Sequence, residues 1–196
     1  MKNSWVLILF LAGFFSINSC SDSPSDTTQT DEELYEFQGF SLKPFDIPVM
    51  IMLPDETANI GASTQPEVIH EEGGFRWEIN VGPNFNMVID DWGSDREMIS
   101  TEKKRLESLE FYKINYLVES PELIVYEREL KVSGSKKASK SVGVEHKTFH
   151  VYGQKVINDI TYVFRSRDEG FEKIIIDLMT KSIKSVKSLE EKEVQS

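Results

Sequence analysis

The sequence predicts an α+β domain: an antiparallel β-sheet of about seven to eight strands with two main helices, the last one C-terminal and amphipathic. Short segments of alternating apolar and polar residues recur from residue 40 onward, as in antiparallel sheets with one buried face. Only two stretches have helical periodicity. The strands follow one another in runs and do not alternate with helices, which is typical of α+β and not of α/β proteins.

The clearest strand prediction is 75–81, where apolar and polar residues alternate and the apolar ones are Phe75, Trp77, Ile79 and Val81. Gly73-Gly74 precedes it and indicates a hairpin turn. Gly153-Gln154 is interpreted as a second hairpin turn. The remaining predicted strands are 49–53, 68–71, 84–90, 113–118, 123–130, 144–152 and 155–165.

Two helices complete the predicted fold, and both are expected to cover one face of the sheet. The first spans 95–109, with the Ser94 hydroxyl as its N-terminal cap. The second spans about 171–189. Its apolar residues recur at helical spacing and mark a buried face: Phe171, Ile174, Ile175, Leu178, Met179, Ile183, Val186 and Leu189.

The first 19 residues have the pattern of a processing signal. Lys2 is followed by a nearly unbroken apolar run over residues 5–17. A run of 13 residues is shorter than the roughly 20 that a membrane-spanning helix needs, and it fits the apolar region of a signal peptide.

The residues Ile17-Asn18-Ser19-Cys20 resemble the lipobox of bacterial lipoproteins. The resemblance implies that the Cys20 thiol receives a diacylglycerol, that the chain is cut before Cys20, and that the new amino group is acylated. Asn18 departs from the small or apolar residue usual at its position. Because Cys20 is the only cysteine, an internal disulfide is excluded.

The predicted organisation of the chain has four parts. Residues 1–19 are the lipoprotein signal peptide, and 20–37 are the lipidated cysteine with a disordered tether, because 21–33 contain no aliphatic or aromatic residue. Residues 38–190 form a single globular α+β domain, and 191–196 a disordered tail. Ser21 after the cysteine favours the outer membrane, since aspartate there marks inner-membrane retention in some lipoproteins.

The order of elements from Phe40 onward, with its closing amphipathic helix, resembles the PsbP-like α+β fold. No specific motif accompanies this resemblance, which covers about 150 residues. It implies an accessory or binding role.

The composition and charge of the chain limit the classes of partner and cofactor that it is expected to bind. The chain has 196 residues with 33 acidic and 22 basic side chains, a net charge of −11. Such a balance argues against nucleic acid, whose binding needs a basic face. No cluster of cysteine and histidine has zinc spacing, and no phosphate-binding, dinucleotide-binding or hydrolase motif occurs. We therefore expect no cofactor and no metal.

The histidines and paired aspartates are the candidates for chemistry. His146 and His150 would lie roughly 13 Å apart on a strand, too far to chelate one ion, so we interpret them as ordinary residues of a polar face. His70 is isolated and is interpreted as structural. Asp90 and Asp91 point to opposite faces of a strand and form a poor acid–base pair; one of them is expected to cap the following turn.

Two features suggest contact surfaces. Residues 131–140 form a mobile basic loop in an acidic chain, with lysines at Lys131, Lys136, Lys137 and Lys140. This loop is either a solvated hairpin or an arm for anionic lipid headgroups or an acidic partner. Aromatic side chains that could mark a binding face are Phe85, Trp92, Phe111, Tyr112 and Tyr116.

The sequence thus favours a lipid-anchored protein of the cell envelope, in the outer membrane and facing the periplasm or the surface. Its domain is expected to be a non-enzymatic binding or accessory module. Cys20 attaches it to the membrane, and its expected partner is a protein in the envelope. Two alternatives stay open. One is an envelope hydrolase with a dispersed active site, and the other is an immunity or inhibitor lipoprotein against a basic toxin or enzyme.

Overall fold

The computed structural model describes residues 36–61, 65–131 and 147–189. These contain ten strands in two antiparallel sheets and two α-helices, which confirms the predicted α+β class. The helices are α1, Met98–Glu107, and α2, Lys173–Lys184; two short 3₁₀ helices span Lys43–Phe45 and Glu56–Ala58. The strands are β1 Phe37–Ser41, β2 Val49–Pro54, β3 Glu67–His70, β4 Arg76–Val81, β5 Phe85–Asp91, β6 Tyr112–Glu119, β7 Leu123–Leu130, β8 Lys147–Ile157, β9 Ile160–Ser166 and β10 Lys187–Ser188.

Seven strands form the main sheet in the order β3-β4-β5-β9-β8-β7-β6, and β1-β2-β10 form a smaller one. Because side chains alternate along each strand, the main sheet has two faces of different character. We call them the α2 face and the α1 face after the helix that packs on each. The predicted placement of both helices on one face is wrong. The reason is that the central strands also carry apolar residues on the opposite face, among them Ile124, Tyr152 and Val163.

The α2 face holds the larger core. Buried side chains of β4, β5, β8 and β9 pack there against α2 and the three-stranded sheet, including Ile79, Met87, Val151 and Phe164. The end of α2 is tied to the small sheet, since the Ser185 hydroxyl accepts a hydrogen bond from the Met52 amide at 2.9 Å.

Helix α2 is shorter than the predicted span of 171–189 at both ends. Phe171 exchanges two backbone hydrogen bonds of 3.0 Å with Phe149 of β8. Beyond the helix, β10 pairs with β2. Ile174, expected on the buried face, is 59% exposed.

Helix α1 covers only part of its face. Met98, Ile99 and Leu106 pack on the apolar residues of β7, β8 and β9. The helix begins three residues later than predicted, and Ser94 does not cap it: the N-cap residue is Glu97, which makes no side-chain capping hydrogen bond. In the turn before the helix, the Asp95 carboxylate accepts a hydrogen bond from the Glu97 amide at 2.9 Å.

The β8–β9 turn lies at Asn158-Asp159 and not at the predicted Gly153-Gln154. Both turn residues have positive φ, 49° and 63°, as in the two-residue turns that suit the twist of a hairpin. Gly153 lies inside β8, where a Cβ would be 2.6 Å from Cγ2 of Ile183. Glycine at this position therefore permits the close approach of α2 to the sheet.

The described residues include no helix that combines the length and the apolar character needed to cross a membrane.

Two isoleucines on α2 test the packing of the α2 face. Ile176 is fully buried, whereas Ile174 on the same helix is 59% exposed. Ile176→Ala should lower the free energy of unfolding by about 2–5 kcal/mol, because it leaves a cavity. Ile174→Ala should change it by less than about 0.5 kcal/mol. Urea unfolding of both variants makes the comparison, and equal losses would contradict this packing.

Candidate functional site

A polar cleft of 240 Å³ opens on the α1 face, beside the part that α1 covers. Four of the six arginines in the chain line it: Arg76, Arg105, Arg165 and Arg167. We call it the arginine cleft. Its other lining residues are Asp90, Trp92, Glu102, Tyr126, His150, Val151, Tyr152, Ser166 and Asp168.

Strand register brings these residues together from distant parts of the chain. Arg76 lies directly opposite Asp90 in the β4–β5 pair, and Tyr126 lies opposite His150 in the β7–β8 pair. Arg165 enters from β9, which runs between β5 and β8. Alternation then points these side chains to the same face.

Asp90 holds two arginines side by side. Its Oδ1 accepts a hydrogen bond from Nε of Arg76 at 2.7 Å, and its Oδ2 accepts one from Nε of Arg165 at 2.8 Å. The carboxylate is largely buried, with 10% of its side chain exposed. The hydrogen bond and the charge of Asp90 raise the pKa of Arg76. One buried carboxylate therefore orients two guanidinium groups and balances the charge of one.

Glu102 of α1 forms a second ion pair in the cleft. Arg105 donates to its two oxygens from Nε at 2.7 Å and from Nη2 at 2.6 Å. The Tyr126 hydroxyl donates to Glu102 at 3.3 Å. The hydrogen bond to Glu102 raises the pKa of Arg105, whereas burial raises the pKa of Tyr126. The Arg105 guanidinium therefore stays charged and the Tyr126 hydroxyl stays neutral at neutral pH.

His150 lies at the floor of the cleft and is only 2% exposed. Its ring stacks on Tyr126 with centroids 5.0 Å apart, and its Nε2 lies 2.9 Å from the Thr148 hydroxyl. Burial, and secondarily the charges of Arg128 and Arg105, lower the pKa of His150 to about 3. The imidazole is therefore neutral at physiological pH.

Gly170, in the β9–α2 loop, lies against the His150 ring. A Cβ at this position would lie 2.7 Å from Cε1 and Nε2 of His150. The residue has a φ of +79°, which glycine adopts without strain. The loop can therefore cover the imidazole only because residue 170 has no side chain.

The rim combines charge with an aromatic surface. Arg167 donates to Glu78 at 2.6 Å, and the Arg128 guanidinium donates to the Asp168 carbonyl at 2.6 Å. Trp92 is 49% exposed. Its backbone is fixed, since its amide donates to the Thr161 carbonyl at 2.9 Å.

The structure corrects the interpretation of His150, which is a buried neutral residue and not an ordinary residue of a polar face. His146 lies outside the described residues. His70 stacks on Trp77 with ring centroids 4.5 Å apart. Its Nδ1 is within hydrogen-bonding distance of the Arg76 carbonyl, at 2.8 Å.

Asp90 and Asp91 serve separate purposes, as their positions on the strand predict. Asp90 lies in the cleft, whereas Asp91 accepts the Gly93 amide at 2.7 Å and caps the turn. The arginines were missed by sequence reasoning. One signal in the sequence could have indicated them: Arg165 and Arg167 are two residues apart at the end of a strand, so their side chains share a face.

The aromatic candidates divide into three groups. Phe85 is fully buried in the core, so it marks no binding face. Trp92 and Phe111 are exposed, at 49% and 73%. Tyr112 and Tyr116 are partly buried; the Arg128 guanidinium lies over the ring of Tyr112 at 4.8 Å.

Of the predicted basic loop, only Lys131 lies within the described residues, where its ammonium donates to the Glu110 carbonyl at 3.2 Å. Lys136, Lys137 and Lys140 lie outside them. Cys20 also lies outside. Within the described ranges, no group of three histidine, cysteine or acidic residues is arranged to hold a metal ion.

No family model matches this chain, and no curated protein matches it significantly. The cleft must therefore be interpreted from its own chemistry.

The burial of His150 predicts a pH dependence of stability. A pKa of about 3 in the folded chain, against 6.5 for a free imidazole, means that the unfolded chain binds a proton that the native chain does not. Because of His150, the free energy of unfolding should therefore decrease as the pH falls below about 6.5, by about 1.4 kcal/mol per pH unit.

Urea unfolding at pH 7 and pH 5 measures this effect. Over this interval the free energy of unfolding of the wild type should fall by about 2 kcal/mol more than that of His150→Gln. An imidazole of His150 that titrates near its ordinary pKa in NMR spectra would contradict the burial.

Proposed function

We propose that this chain is a lipid-anchored protein of the cell envelope whose domain binds a ligand in the arginine cleft and is not an enzyme. The observation that carries the proposal is the pairing of the charged groups in the cleft. Asp90 and Glu102 each have both oxygens engaged by guanidinium groups. Such pairs give the cleft fixed charges and fixed hydrogen-bond donors.

The same pairing engages the carboxylate oxygens that would have to exchange a proton with a substrate. A general acid or base works best when its pKa is near the operating pH. His150, with its pKa lowered to about 3, is a weak base at neutral pH and is covered by Gly170. The Ser166 hydroxyl lies 3.3 Å from the Val151 amide and faces the backbone. These contacts favour binding over hydrolysis.

The proposed anchor is Cys20, on the basis of its lipobox. Strand β1 begins at Phe37, seventeen residues after Cys20. A flexible segment of that length has a root-mean-square span of roughly 20–25 Å. In this proposal the domain stays close to the membrane, at the outer membrane and facing the periplasm or the surface, and its cleft is free to meet ligands or a protein partner there.

The anchor can be tested by fractionation in a bacterial host. Cys20→Ser should move the protein from the membrane fraction to the soluble fraction or leave it unprocessed, because the acylated thiol is lost. Ser21→Ala, the neighbouring substitution that keeps the thiol, should leave the protein in the membrane. Mass spectrometry should find acyl chains on the wild type, and a soluble wild type without them would overturn the anchor.

The binding role can be tested against simple hydrolysis. The full chain should not turn over p-nitrophenyl acetate, p-nitrophenyl phosphate or p-nitrophenyl glycosides above the rate of Glu102→Gln, because the acidic groups of the cleft are engaged in ion pairs. A turnover that is lost in Glu102→Gln or His150→Gln, but kept in His70→Gln, would contradict the binding role and favour the hydrolase.

A further inference from the structure

The arginines of the cleft are paired through only part of each guanidinium group. Arg76 and Arg165 contact Asp90 through Nε, and Arg105 contacts Glu102 through Nε and Nη2. Among the described residues, none accepts a hydrogen bond from either Nη atom of Arg76, from Nη2 of Arg165 or from Nη1 of Arg105. The buried acids thus orient these arginines and leave terminal donors unused.

The charge at Asp90 is not balanced. Arg76 and Arg165 share this one carboxylate. Asp168 reaches only Nη1 of Arg165 at 3.5 Å, and its side chain is 89% exposed. Water screens an acid of that exposure effectively. Glu78 is held by Arg167 at 2.6 Å. The Asp90 cluster therefore has two guanidinium groups for one buried carboxylate, in a chain whose net charge is −11.

The unused donors suit a particular chemical group. The two Nη atoms of a guanidinium form a planar fork that binds the two oxygens of a carboxylate or phosphate. Arg76 offers this fork complete, because Asp90 takes only its Nε. Since the imidazole of His150 is neutral and covered, recognition depends on the arginines.

The dimensions of the cleft limit the ligand. Pockets for drug-sized molecules measure about 300–1,000 Å³, whereas this cleft measures 240 Å³. A second open depression, which shares Arg76, Arg165 and Arg167 with it, adjoins the cleft. The cleft therefore fits a small acid or the acidic end of a larger molecule. Trp92 adds a half-exposed aromatic surface to the same lining, and such surfaces favour flat or apolar partners.

We propose that the arginine cleft binds the carboxylate or phosphate group of an organic acid, with the terminal donors of Arg76, Arg105 and Arg165 on its oxygens and its body against Trp92. This inference rests on the proposed function only in taking the cleft as the binding site. It names the ligand chemistry that the unused donors select.

Four probes test the ligand chemistry: acetate, benzoate, inorganic phosphate and phenyl phosphate. Each is titrated into the full-length chain in a mild detergent at constant ionic strength, with chloride as the control. We expect saturable changes in Trp92 fluorescence and in the Nε–H NMR signals of Arg76, Arg105 and Arg165, with the signal of Arg96 unchanged. Benzoate and phenyl phosphate should bind more tightly than acetate and inorganic phosphate, and the order within each pair identifies the preferred acid.

Substitutions at Arg76 and Trp92 test the contacts. Arg76→Gln should weaken binding about tenfold or more. Arg76→Lys should weaken it as well, because the charge stays but the fork is lost. Lys187→Gln removes one positive charge from β10, on the opposite side of the main sheet, and should leave binding unchanged. Trp92→Ala should abolish the preference for the aromatic acids. Arg165 remains on Asp90 in both Arg76 variants, and circular dichroism verifies that they fold.

Two results would overturn the inference. One is the absence of saturable binding by all four probes up to about 10 mM, a limit that corresponds to very weak affinity. The other is an equal loss of binding in Arg76→Gln and Lys187→Gln, which would indicate attraction by net charge alone. The membrane fractionation of Cys20→Ser is independent of these titrations, so failure of the anchor and failure of the anion site give different results.

Discussion

The structure depends on how two helices cover a sheet that is too wide for them. Seven strands at about 4.8 Å spacing make a surface roughly 30 Å wide. The α2 face is covered by α2 together with the three-stranded sheet. The other face has only α1, whose ten residues reach about 15 Å. The part that α1 leaves open cannot be apolar without exposing a large hydrophobic patch, so it carries ion pairs.

Those ion pairs link the stability of the sheet to its chemistry. Asp90 and Glu102 are both nearly buried, and a buried carboxylate is costly unless it is paired and hydrogen-bonded. Arg165 and Arg105 meet that need at the floor of the cleft. Arg76 is different, because its side chain is 62% exposed and Asp90 already has a partner in Arg165. It is therefore the arginine that the fold needs least and that a ligand reaches most easily.

The fold was largely predictable from residue patterns, and the errors have local causes. The eight predicted strands correspond to β2–β9, because alternation depends only on which face is buried, whereas β1 and β10 of the small sheet were missed. The β8–β9 turn was misplaced because Gly153 resembles a turn residue; its small size instead accommodates Ile183 of α2. That contact depends on how the helix packs. Asn158-Asp159, the actual turn, has equally good turn chemistry, but the sequence gives no reason to prefer it.

The cleft was less predictable, because it is produced by strand register. Asp90 and Arg165 are 75 positions apart in the chain, and only the β5–β9 pairing brings them together. His150 was misjudged for a related reason. Its alternation placed it on the more polar face, but its burial comes from Tyr126 on the neighbouring strand and from Gly170 on a loop that contacts it from above.

The charge of the whole chain limits what such a cleft selects. A net charge of −11 repels anions at a distance, and the repulsion grows with the charge of the ligand. The attraction of the arginines acts over a few ångströms through hydrogen bonds, within the Debye length of about 8 Å at physiological salt. A ligand with one acidic group loses little on approach and gains the full contact. A polyanion such as a nucleic acid or a densely anionic membrane is repelled by the rest of the surface. It makes no more hydrogen bonds in this small cleft than a ligand with one acidic group does. An acidic domain with a small basic cleft thus favours single acidic groups over anionic polymers and surfaces.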